Sequence, residues 1–479
     1  MTKGKSTSKK KKKNSKAKVI NRIMLLVLLI FIALLCYINI LPTYINVIII
    51  IFVVLISLVL TFLTMNKRVK DNIRLKSLIV TVFVILIFLF ININIIKTLN
   101  FWSKISTTNE ETTNYSVLVL SDSKIDNIKK LKNEKVGNYN DVNLSDDFKI
   151  EVSYENYSDI DKLYNALFEN KVTAIILEDS LKELAVEANS EYGTKTKSIY
   201  TIKVKEKSSV VVKNVDVTGK PFNVYLSGID TYGEITSKSR SDVNIVVSVN
   251  PLEHKMLLTA IPRDYYVNLH SKKGYRDKLT HAGIYGVDES IATIEDLLGI
   301  DINYYVKVNF TSVIDIVNIL GGITVDSERS FTSVSGYYFK KGINNLDGER
   351  ALAFVRERYA FQDGDRQRGR NQETVIKALI AKATSPSMLL KYDSLLSKMS
   401  NKIETNIPQK ELLSLVKMQL SNNQAWDIKT NNLDGANALQ YTYTYPHQKL
   451  YVMIPNDKNL EEAKENMKEI LGEQNGWIY

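Results

Sequence analysis

The sequence predicts an α/β protein with three N-terminal transmembrane helices, a small α/β accessory domain and a larger α/β domain whose central sheet is flanked by helices. Three observations predict this architecture. Long uncharged segments are confined to the first 96 residues. Beyond them, short apolar segments of strand type alternate with amphipathic helical segments. The length of 479 residues is enough for two or three domains.

The first 96 residues have the pattern of a membrane anchor. No charged residue occurs from Ile23 to Asn66, where Pro42 interrupts the apolar run, and a second uncharged segment covers Ser77–Ile96. A bilayer crossing needs about 20 apolar residues. We therefore predict helices at about 20–41, 45–64 and 77–96, after a basic cytoplasmic tail over residues 1–19. A signal peptide followed by core helices is disfavoured, because no small-residue cleavage site stands out.

The distribution of charge predicts the orientation of this anchor. Residues 1–76 carry fifteen Lys and Arg against one acidic residue, whereas the remaining 403 carry 48 basic and 51 acidic side chains. Cytoplasmic segments are rich in Lys and Arg, so the N-terminus is predicted inside and residues after about 97 outside a cell membrane. Attraction to anionic membrane lipid explains the N-terminal lysines. The rest lacks the basic excess that nucleic-acid binding needs.

Beyond the membrane the sequence predicts a polar linker over 97–111 and an accessory domain over 112–215. In that domain Tyr115–Leu120 and Val172–Leu177 are typical of strands, and Ile160–Glu169 has helical periodicity. Further strands are predicted at Ile202–Val204 and Val210–Val212. The domain contains no motif with evident chemistry. We expect a spacer or a surface for a partner protein.

The larger domain is predicted over residues 216–479. Apolar segments predict strands at Phe222–Leu226, Val243–Val249, Met256–Ile261, Tyr304–Val308 and Tyr451–Pro455. Periodicity and Gly or Pro boundaries predict helices at Ser290–Leu298, Thr311–Leu320, Gly348–Arg358, Arg370–Ala383, Pro386–Met399 and Leu460–Leu471. Alternating strands and helices of this kind form a layered α/β fold.

Two aspartates are candidates for a metal site. Asp230 ends one predicted strand and Asp242 begins the next, so both carboxylates could meet at one edge of the sheet. Such a pair could hold Mg²⁺ while phosphate oxygens fill the remaining positions. Aspartates that cap turns are also common at strand ends, and the residues alone leave both interpretations open.

Arginine is scarce and concentrated in this chain. Six of its thirteen arginines lie between Arg350 and Arg370, while lysine supplies the other fifty positive charges. Guanidinium groups bind two oxygens of a phosphate or carboxylate at once. The cluster therefore indicates recognition of such a group, or else a solvated helix face with ion pairs. Outside the cluster, Arg240 and Arg263 lie near strand ends.

Spacing constrains how the arginines can act together. Arg368 and Gln372 are four residues apart and share a helix face if the helix begins by Arg368. Arg356 and Arg358 would diverge on an ideal helix, so they can reach one ligand only if the helix ends or distorts between them. Lys278 and His281 lie in a glycine-flanked loop, where His281 could be an acid or base but more often such a residue has a packing role.

Several familiar signatures are missing from the sequence. It has no P-loop, no dinucleotide-binding glycine motif and no G-x-S-x-G elbow. The four histidines lack zinc-site spacing, and the single cysteine, Cys36, excludes an intrachain disulfide.

The external region resembles the LytR-CpsA-Psr family of cell-wall ligases over roughly residues 221–475. The resemblance rests on SGIDT at 227–231, SRSDVNIVVSVNP at 239–251, AIPRDYYV at 260–267, KLTHAGIYG at 278–286 and LDGERALAFVRERYAFQDGDRQRGRNQ at 346–372. The three predicted spans and the accessory domain look like the capsule-associated members. The family tail often reads R-Q-Q where this chain has Arg370–Asn371–Gln372.

The resemblance implies a Mg²⁺-dependent phosphotransferase that moves a polyprenyl (undecaprenyl) pyrophosphate-linked glycopolymer, capsular polysaccharide in particular, onto peptidoglycan. It implies Asp230 and Asp242 as metal ligands, and Arg263 with Asp242 as catalytic residues. The residues that it implies in pyrophosphate binding are Arg240, Arg263, Arg356, Arg358, Arg368, Gln372 and Lys278. Membrane lipid and capsule-assembly membrane proteins are the further partners expected.

A second function stays open from the sequence. The motif-free accessory domain and the three spans, more than one anchor requires, also suit a non-enzymatic regulator that senses the lipid-linked precursor of capsule biosynthesis.

Overall fold

The computed structural model describes residues 3–38, 41, 43–66, 68–105, 110–140, 150–207, 212–231, 235, 237–389, 395, 398–399, 402–422 and 424–472. Parts of several predictions lie outside these residues: the basic tail at 1–2, the first membrane helix at 39–40, the linker at 106–109, the accessory domain at 141–149 and 208–211 with its strand at 210–212, the helix at 386–399 and the end of the larger domain after 472. The chain forms two compact units, and the second extends from the region of the accessory domain through the main sheet.

The first unit contains three long helices, α1 (Lys3–Ile38), α2 (Thr43–Met65) and α3 (Asp71–Ile105). Their apolar stretches Lys16–Tyr37, Thr43–Met65 and Asp71–Lys97 are long and apolar enough to cross a membrane, in agreement with the three predicted segments. The helices pack together, and amide groups of buried asparagines form hydrogen bonds between them. The Asn21 amide donates to the Thr64 hydroxyl at 2.7 Å, and the Asn92 amide donates to the Val27 carbonyl at 3.0 Å.

One difference from the sequence prediction concerns the linker over 97–111. Helix α3 continues to Ile105, and a strand already begins at Glu110. A helix continues wherever each new residue adds a backbone hydrogen bond, whether its side chain is apolar or polar. The change from apolar to polar residues therefore indicates where the apolar segment ends, but not where helix α3 ends.

We call the region 110–207 the small module. Its strands are β1 (Glu110–Leu120), β2 (Lys135–Tyr139), β3 (Ser153–Tyr157), β4 (Ala174–Glu178) and β5 (Thr196–Lys207), and its helices are α4 (Ile160–Phe168), α5 (Asp179–Ala188) and α6 (Glu191–Thr194). The strands form one sheet in the order β3-β2-β4-β1-β5. Leu163 and Tyr164 of α4 and Leu184 of α5 pack on the sheet in a buried core.

The region from 212 onward within the second unit is the main domain. It begins with β6 (Phe222–Ile229), β7 (Ser241–Asn250), β8 (Lys255–Ile261), β9 (Tyr266–Asn268), β10 (Arg276–Lys278), α7 (Leu279–Ala282), α8 (Val287–Leu298), β11 (Tyr304–Asn309) and α9 (Phe310–Ile319). It continues with β12 (Ile323–Ser327), β13 (Phe331–Thr332), β14 (Tyr338–Phe339), β15 (Gly342–Leu346), α10 (Gly348–Arg356) and α11 (Gly364–Ala383).

The C-terminal part contributes to both units. Helices α12 (Pro386–Leu389) and α13 (Gln409–Asn422) belong to the first unit, whereas β16 (Glu404–Thr405), β17 (Asp427–Asn432), β18 (Gly435–Gln440), β19 (Leu450–Pro455) and α14 (Asp457–Leu471) belong to the second. The main sheet has six strands in the order β16-β11-β6-β7-β8-β17. Strands β6, β7 and β8 are antiparallel neighbours, and β11 and β17 each pair in parallel with this central group.

Helices cover the main sheet, as the predicted layered fold requires. Tyr225 and Val246 of the sheet pack with Ile294 of α8 and Met467 of α14 in one buried core. A second core lies under α9, α10 and α11 and contains several phenylalanines, among them Phe354. The α/β fold class predicted from the sequence is confirmed.

Candidate active site

The two aspartates predicted to meet at the sheet edge do lie at adjoining strand ends. Ile229, the last residue of β6, pairs with Ser241, the first residue of β7, so Asp230 and Asp242 leave the same edge. Burial, and then the charge of Asp242, raise the pKa of Asp230. Burial alone would raise the pKa of Asp242, but Arg263 and Arg240 outweigh it and hold that pKa below its ordinary value.

Arg263 occupies the centre of the site. It follows β8, and its side chain is only 15% exposed. Its Nη1 lies 3.1 Å from Asp242 Oδ2, while its Nε lies 3.5 Å from Asp264 and 3.8 Å from Asp365. These carboxylates raise the arginine pKa further although burial opposes the change. The Nε atom is buried and forms no hydrogen bond in the described part of the chain, although the carboxylates of Asp264 and Asp365 both face it.

Helices α10 and α11 bring three further arginines to the same place. Helix α10 ends at Arg356 and Glu357 is extended, so the termination required between Arg356 and Arg358 is confirmed. Arg368, near the start of α11, lies 3.3 Å from Asp365, and Arg358 lies 3.9 Å from the same carboxylate. Burial, and then the neighbouring Arg263, lower the pKa of Arg368. Like charges held this close favour a bound anion.

Arg356 is placed differently from the other arginines. Its side chain is 48% exposed and lies 3.9 Å from Asp230 Oδ1, and its guanidinium stacks 4.0 Å from the centre of the Phe310 ring. A guanidinium stacked on an aromatic ring is held in one plane without losing its hydrogen-bond donors. Arg356 therefore lies at the solvent rim, next to the metal-ligand candidate.

Lys278 and Thr280 join the site from the end of β10 and from α7, where the sequence had predicted a loop. Lys278 Nζ lies 3.1 Å from Asp264 Oδ1, and the Thr280 hydroxyl donates to Asp242 Oδ1 at 3.1 Å. His281 next to them is 1% exposed and its Nδ1 lies 2.5 Å from Asp277. Asp277 also accepts from the backbone N–H of Thr444. His281 therefore has a packing role, because its contact with Asp277 joins α7 to the strand that carries Lys278.

Arg240 points toward the small module. Its Nη1 lies 2.5 Å from Glu187 and its Nη2 lies 3.7 Å from Glu183, both on α5. Burial alone would raise the pKa of Glu187, but Arg240 outweighs burial and lowers that pKa. Burial raises the pKa of the more distant Glu183. The opposite directions follow from the two distances, because only Glu187 is in direct contact. No signal in the sequence linked this helix to the site.

A cavity of about 340 Å³ adjoins the arginines between the main sheet and α11. Arg263, Arg368 and Gln372 line it together with the apolar side chains of Ile245 and Leu433. This volume is at the low end of the range for small-molecule pockets, roughly 300–1,000 Å³. Arg368 and Gln372 share a helix face as predicted, while Gln372 is outside the ion-pair network.

The donor set fits a divalent cation shared with a phosphate ligand. No group of three or more His, Cys, Asp or Glu side chains arranged for a metal occurs in the described residues. Asp230 and Asp242 nevertheless form a like-charged pair at one edge, and Mg²⁺ commonly takes one or two carboxylates with phosphate and water oxygens. Asp230 and Asp242 are the residues that would hold it.

Taken together, the site is a set of guanidinium groups and aspartates at one end of the main sheet, beside a partly apolar cavity. The fold and this site define an α/β protein built to bind a polyanionic group. The chain belongs to the LytR_cpsA_psr family, whose family model matches residues 184–469.

Characterised relatives have similar sequences over much of their length. The polyisoprenyl-teichoic acid–peptidoglycan teichoic acid transferase TagU of Bacillus mycoides (strain KBAB4) is 35% identical over 244 residues, which are 50% of this chain and 79% of the relative. TagT of Bacillus subtilis (strain 168), with the same activity in its name, is 35% identical over 279 residues, 56% of this chain and 82% of the relative. The crystal structure of B. subtilis TagV matches 53% of this chain and 99% of its own at 34% identity, with a TM-score of 0.46.

Proposed function

We propose that this protein is a membrane-anchored phosphotransferase that moves a polyprenyl-pyrophosphate-linked glycopolymer onto peptidoglycan outside the cell. The observation that carries the proposal is the convergence of three guanidinium groups on the Asp365 carboxylate beside the cavity, those of Arg263, Arg358 and Arg368. Family membership supports the reaction class, and the three apolar helices support the anchor with the N-terminus inside.

In this proposal the guanidinium groups bind the phosphate oxygens of the donor. An acceptor hydroxyl attacks the phosphorus nearer the glycan and gives up its proton to solvent, the bond to the bridging oxygen breaks, and polyprenyl phosphate leaves with the negative charge. Arg263 and Arg368 are fixed by Asp242 and Asp365 before the ligand arrives. Preorganised donors of this kind stabilise charge as it develops.

The carboxylates have distinct tasks in the proposal. Asp242 stays ionised because the arginines lower its pKa, so it is a weak base and serves to orient Arg263 and hold a cation. When bound at Asp230 and Asp242, Mg²⁺ supplies positive charge to the phosphate oxygens. The apolar side chains of the cavity, Ile245 and Leu433 among them, suit the first part of a polyprenyl chain and exclude water.

A transfer assay tests this function. The full-length protein in detergent is given polyprenyl-pyrophosphate-linked capsular oligosaccharide or teichoic acid precursor, together with peptidoglycan and Mg²⁺, and wall-linked phosphodiester is measured. We expect transfer of the capsular donor, and its loss in Arg263→Ala. Arg350→Gln is the matched control, since Arg350 stacks on Phe339 away from the site. Transfer by Arg263→Ala at the wild-type rate would contradict the proposal.

A regulator that senses the lipid-linked precursor is the second candidate, and the contact between Arg240 and the small module favours it. It predicts tight binding of polyprenyl pyrophosphate without any transfer to peptidoglycan in the same assay. Transfer that depends on Arg263 would reject this candidate as the sole function.

A further inference from the structure

Arg240 is held by two carboxylates of the small module. Glu183 and Glu187 are four residues apart on α5 and therefore share one face of the helix. Leu184 and Ala185 on the same helix are buried in the core of the module, which fixes the direction of the acidic face. The Arg240 guanidinium is only 15% exposed, with Glu187 at 2.5 Å and Glu183 at 3.7 Å.

The backbone around Arg240 is also fixed to the module. Thr112 of β1 forms an isolated bridge with Ser237, and the Lys238 N–H donates to the Thr112 carbonyl at 2.8 Å. The Ser180 hydroxyl donates to the Lys238 carbonyl at 3.4 Å. The segment that leads into β7 therefore stays in place, and only the carboxylate side chains need to rotate to release Arg240.

The two glutamates change the charge that the site presents to a ligand. Among the described residues, the ion-paired set in the main domain has six cations and four carboxylates, namely Arg240, Arg263, Arg356, Arg358, Arg368 and Lys278 with Asp230, Asp242, Asp264 and Asp365. The formal excess of positive charge in this set favours a pyrophosphate. Glu183 and Glu187 add two negative charges beside Arg240, so the attraction of this set for the ligand is weaker while they remain.

We propose that Glu187 and Glu183 compete with the pyrophosphate for Arg240, so that the small module sets the affinity of the site for its donor. The inference rests on the proposed function. Glu187 contacts Nη1 and Glu183 faces Nη2, and these two nitrogens form the fork with which arginine binds phosphate. A carboxylate that only oriented Arg240 would leave this fork free.

Binding of geranylgeranyl pyrophosphate to the full-length protein in detergent tests the competition. Glu187→Gln keeps the shape of the side chain and removes its charge, so we expect affinity to rise about tenfold because Arg240 no longer has to leave an ion pair before it binds the phosphate. The double variant Glu183→Gln/Glu187→Gln should bind tighter still. Glu191→Gln is the matched control, since Glu191 pairs with Lys195 within the module at 2.6 Å, and should bind as the wild type does.

A double-mutant cycle identifies Arg240 as the point of competition. Arg240→Gln should weaken binding, and Glu187→Gln should have no further effect in that background because the shared partner is gone. Weaker binding by Glu187→Gln, or binding equal to that of Glu191→Gln, would overturn the inference. A gain of the same size in the Arg240→Gln background would also overturn it.

Arg263→Ala separates this inference from the proposed function. If Arg263→Ala binds geranylgeranyl pyrophosphate as tightly as the wild type, the proposed pyrophosphate site fails and the competition fails with it. If Arg263→Ala loses binding while Glu187→Gln shows no gain, the pyrophosphate site stands and only the role of the small module is rejected.

Discussion

The small module and the main domain are both sheets packed against helices, but they differ in what their strand ends carry. In the main domain, Asp230 directly follows β6, Asp242 is the second residue of β7, and Arg263 lies two residues after β8. These charged groups meet others from α10 and α11. In the small module, β4 leads directly into α5, whose acidic face reaches outward to Arg240.

This difference shows that a region without a sequence motif can still contribute side chains to a site. The module has its own core, yet Tyr445 of the main domain is buried in that core, and its hydroxyl donates to Asp161 at 2.7 Å. The module is thus fixed at two places, at Tyr445 and at the segment before Arg240. Four predictions test how far the two regions differ, beginning with the largest expected effect.

The first prediction concerns the rigid centre of the main domain. Arg263→Lys keeps the charge but loses the planar fork between Asp242 and Asp365, so transfer activity should fall roughly 100-fold or more. Initial rates of wall-linked phosphodiester formation measure it. Arg350→Lys should keep the wild-type rate, and an equally small effect at both positions would show that geometry at Arg263 is unimportant.

The second prediction concerns the cation at the sheet edge. Asp230→Asn removes one of two carboxylates at the rim, so the Mg²⁺ concentration for half-maximal activity should rise about tenfold. A Mg²⁺ titration of the transfer rate measures this shift. Asp326→Asn alters an exposed aspartate of β12 and should leave the titration unchanged. Activity that is insensitive to chelation of divalent ions would contradict the assignment of Mg²⁺.

The third prediction concerns attachment of the small module. Asp161 accepts hydrogen bonds from Tyr192 and Tyr445, each at 2.7 Å. Asp161→Ala leaves both buried hydroxyls without an acceptor, so the free energy of unfolding should fall by about 2 kcal/mol. Chemical denaturation of the second unit within the full chain measures it. Asp126→Ala, at an exposed ion pair with Lys130, should leave the midpoint unchanged, and equal midpoints for both variants would reject the role of Asp161.

The fourth prediction concerns the pH dependence of stability and has the smallest expected effect. Burial raises the pKa of Glu373, next to Gln372 on α11, to about 8. At a pH between the ordinary glutamate pKa, which applies to the unfolded chain, and about 8, the folded state therefore keeps a proton on Glu373 that the unfolded state has lost. The stability that protonated Glu373 contributes is fully present below the pKa of the unfolded state, and it is lost as the pH rises toward 8. Between pH 6 and 7 the free energy of unfolding should fall by on the order of 1 kcal/mol.

Glu373→Gln removes the titrating group and keeps the side-chain volume. The decline in stability between pH 6 and 7 should become shallower in this variant, as followed by denaturation at each pH. Glu411→Gln on α13 is a suitable control at a partly exposed position. A decline of the same slope in Glu373→Gln and the wild type would contradict the assignment.

Local patterns in the sequence predicted most of the elements that position the site. The spacing of Arg356 and Arg358 required a helix end between them only if both bind one ligand, and the helix predicted over Gly348–Arg358 does end at Arg356. The position of Asp230 and Asp242 at adjoining strand ends followed from the predicted strands. Thr280 on Asp242, Phe310 beneath Arg356 and Glu187 on Arg240 did not follow. Each of these contacts joins residues far apart in the chain, and no local pattern reports which loops or helices a fold brings together.

By itself, the sequence determined the α/β class, the three apolar helices and the supply of arginines and aspartates, because periodicity, apolar length and charge are local properties. Only the tertiary structure decided how the arginines divide. Arg263 and Arg368 are buried among aspartates, Arg356 stacks at the rim, and Arg240 is held by the small module. The physical reason is that the state of a charged side chain depends on burial and on the charges that folding places within a few ångströms of it.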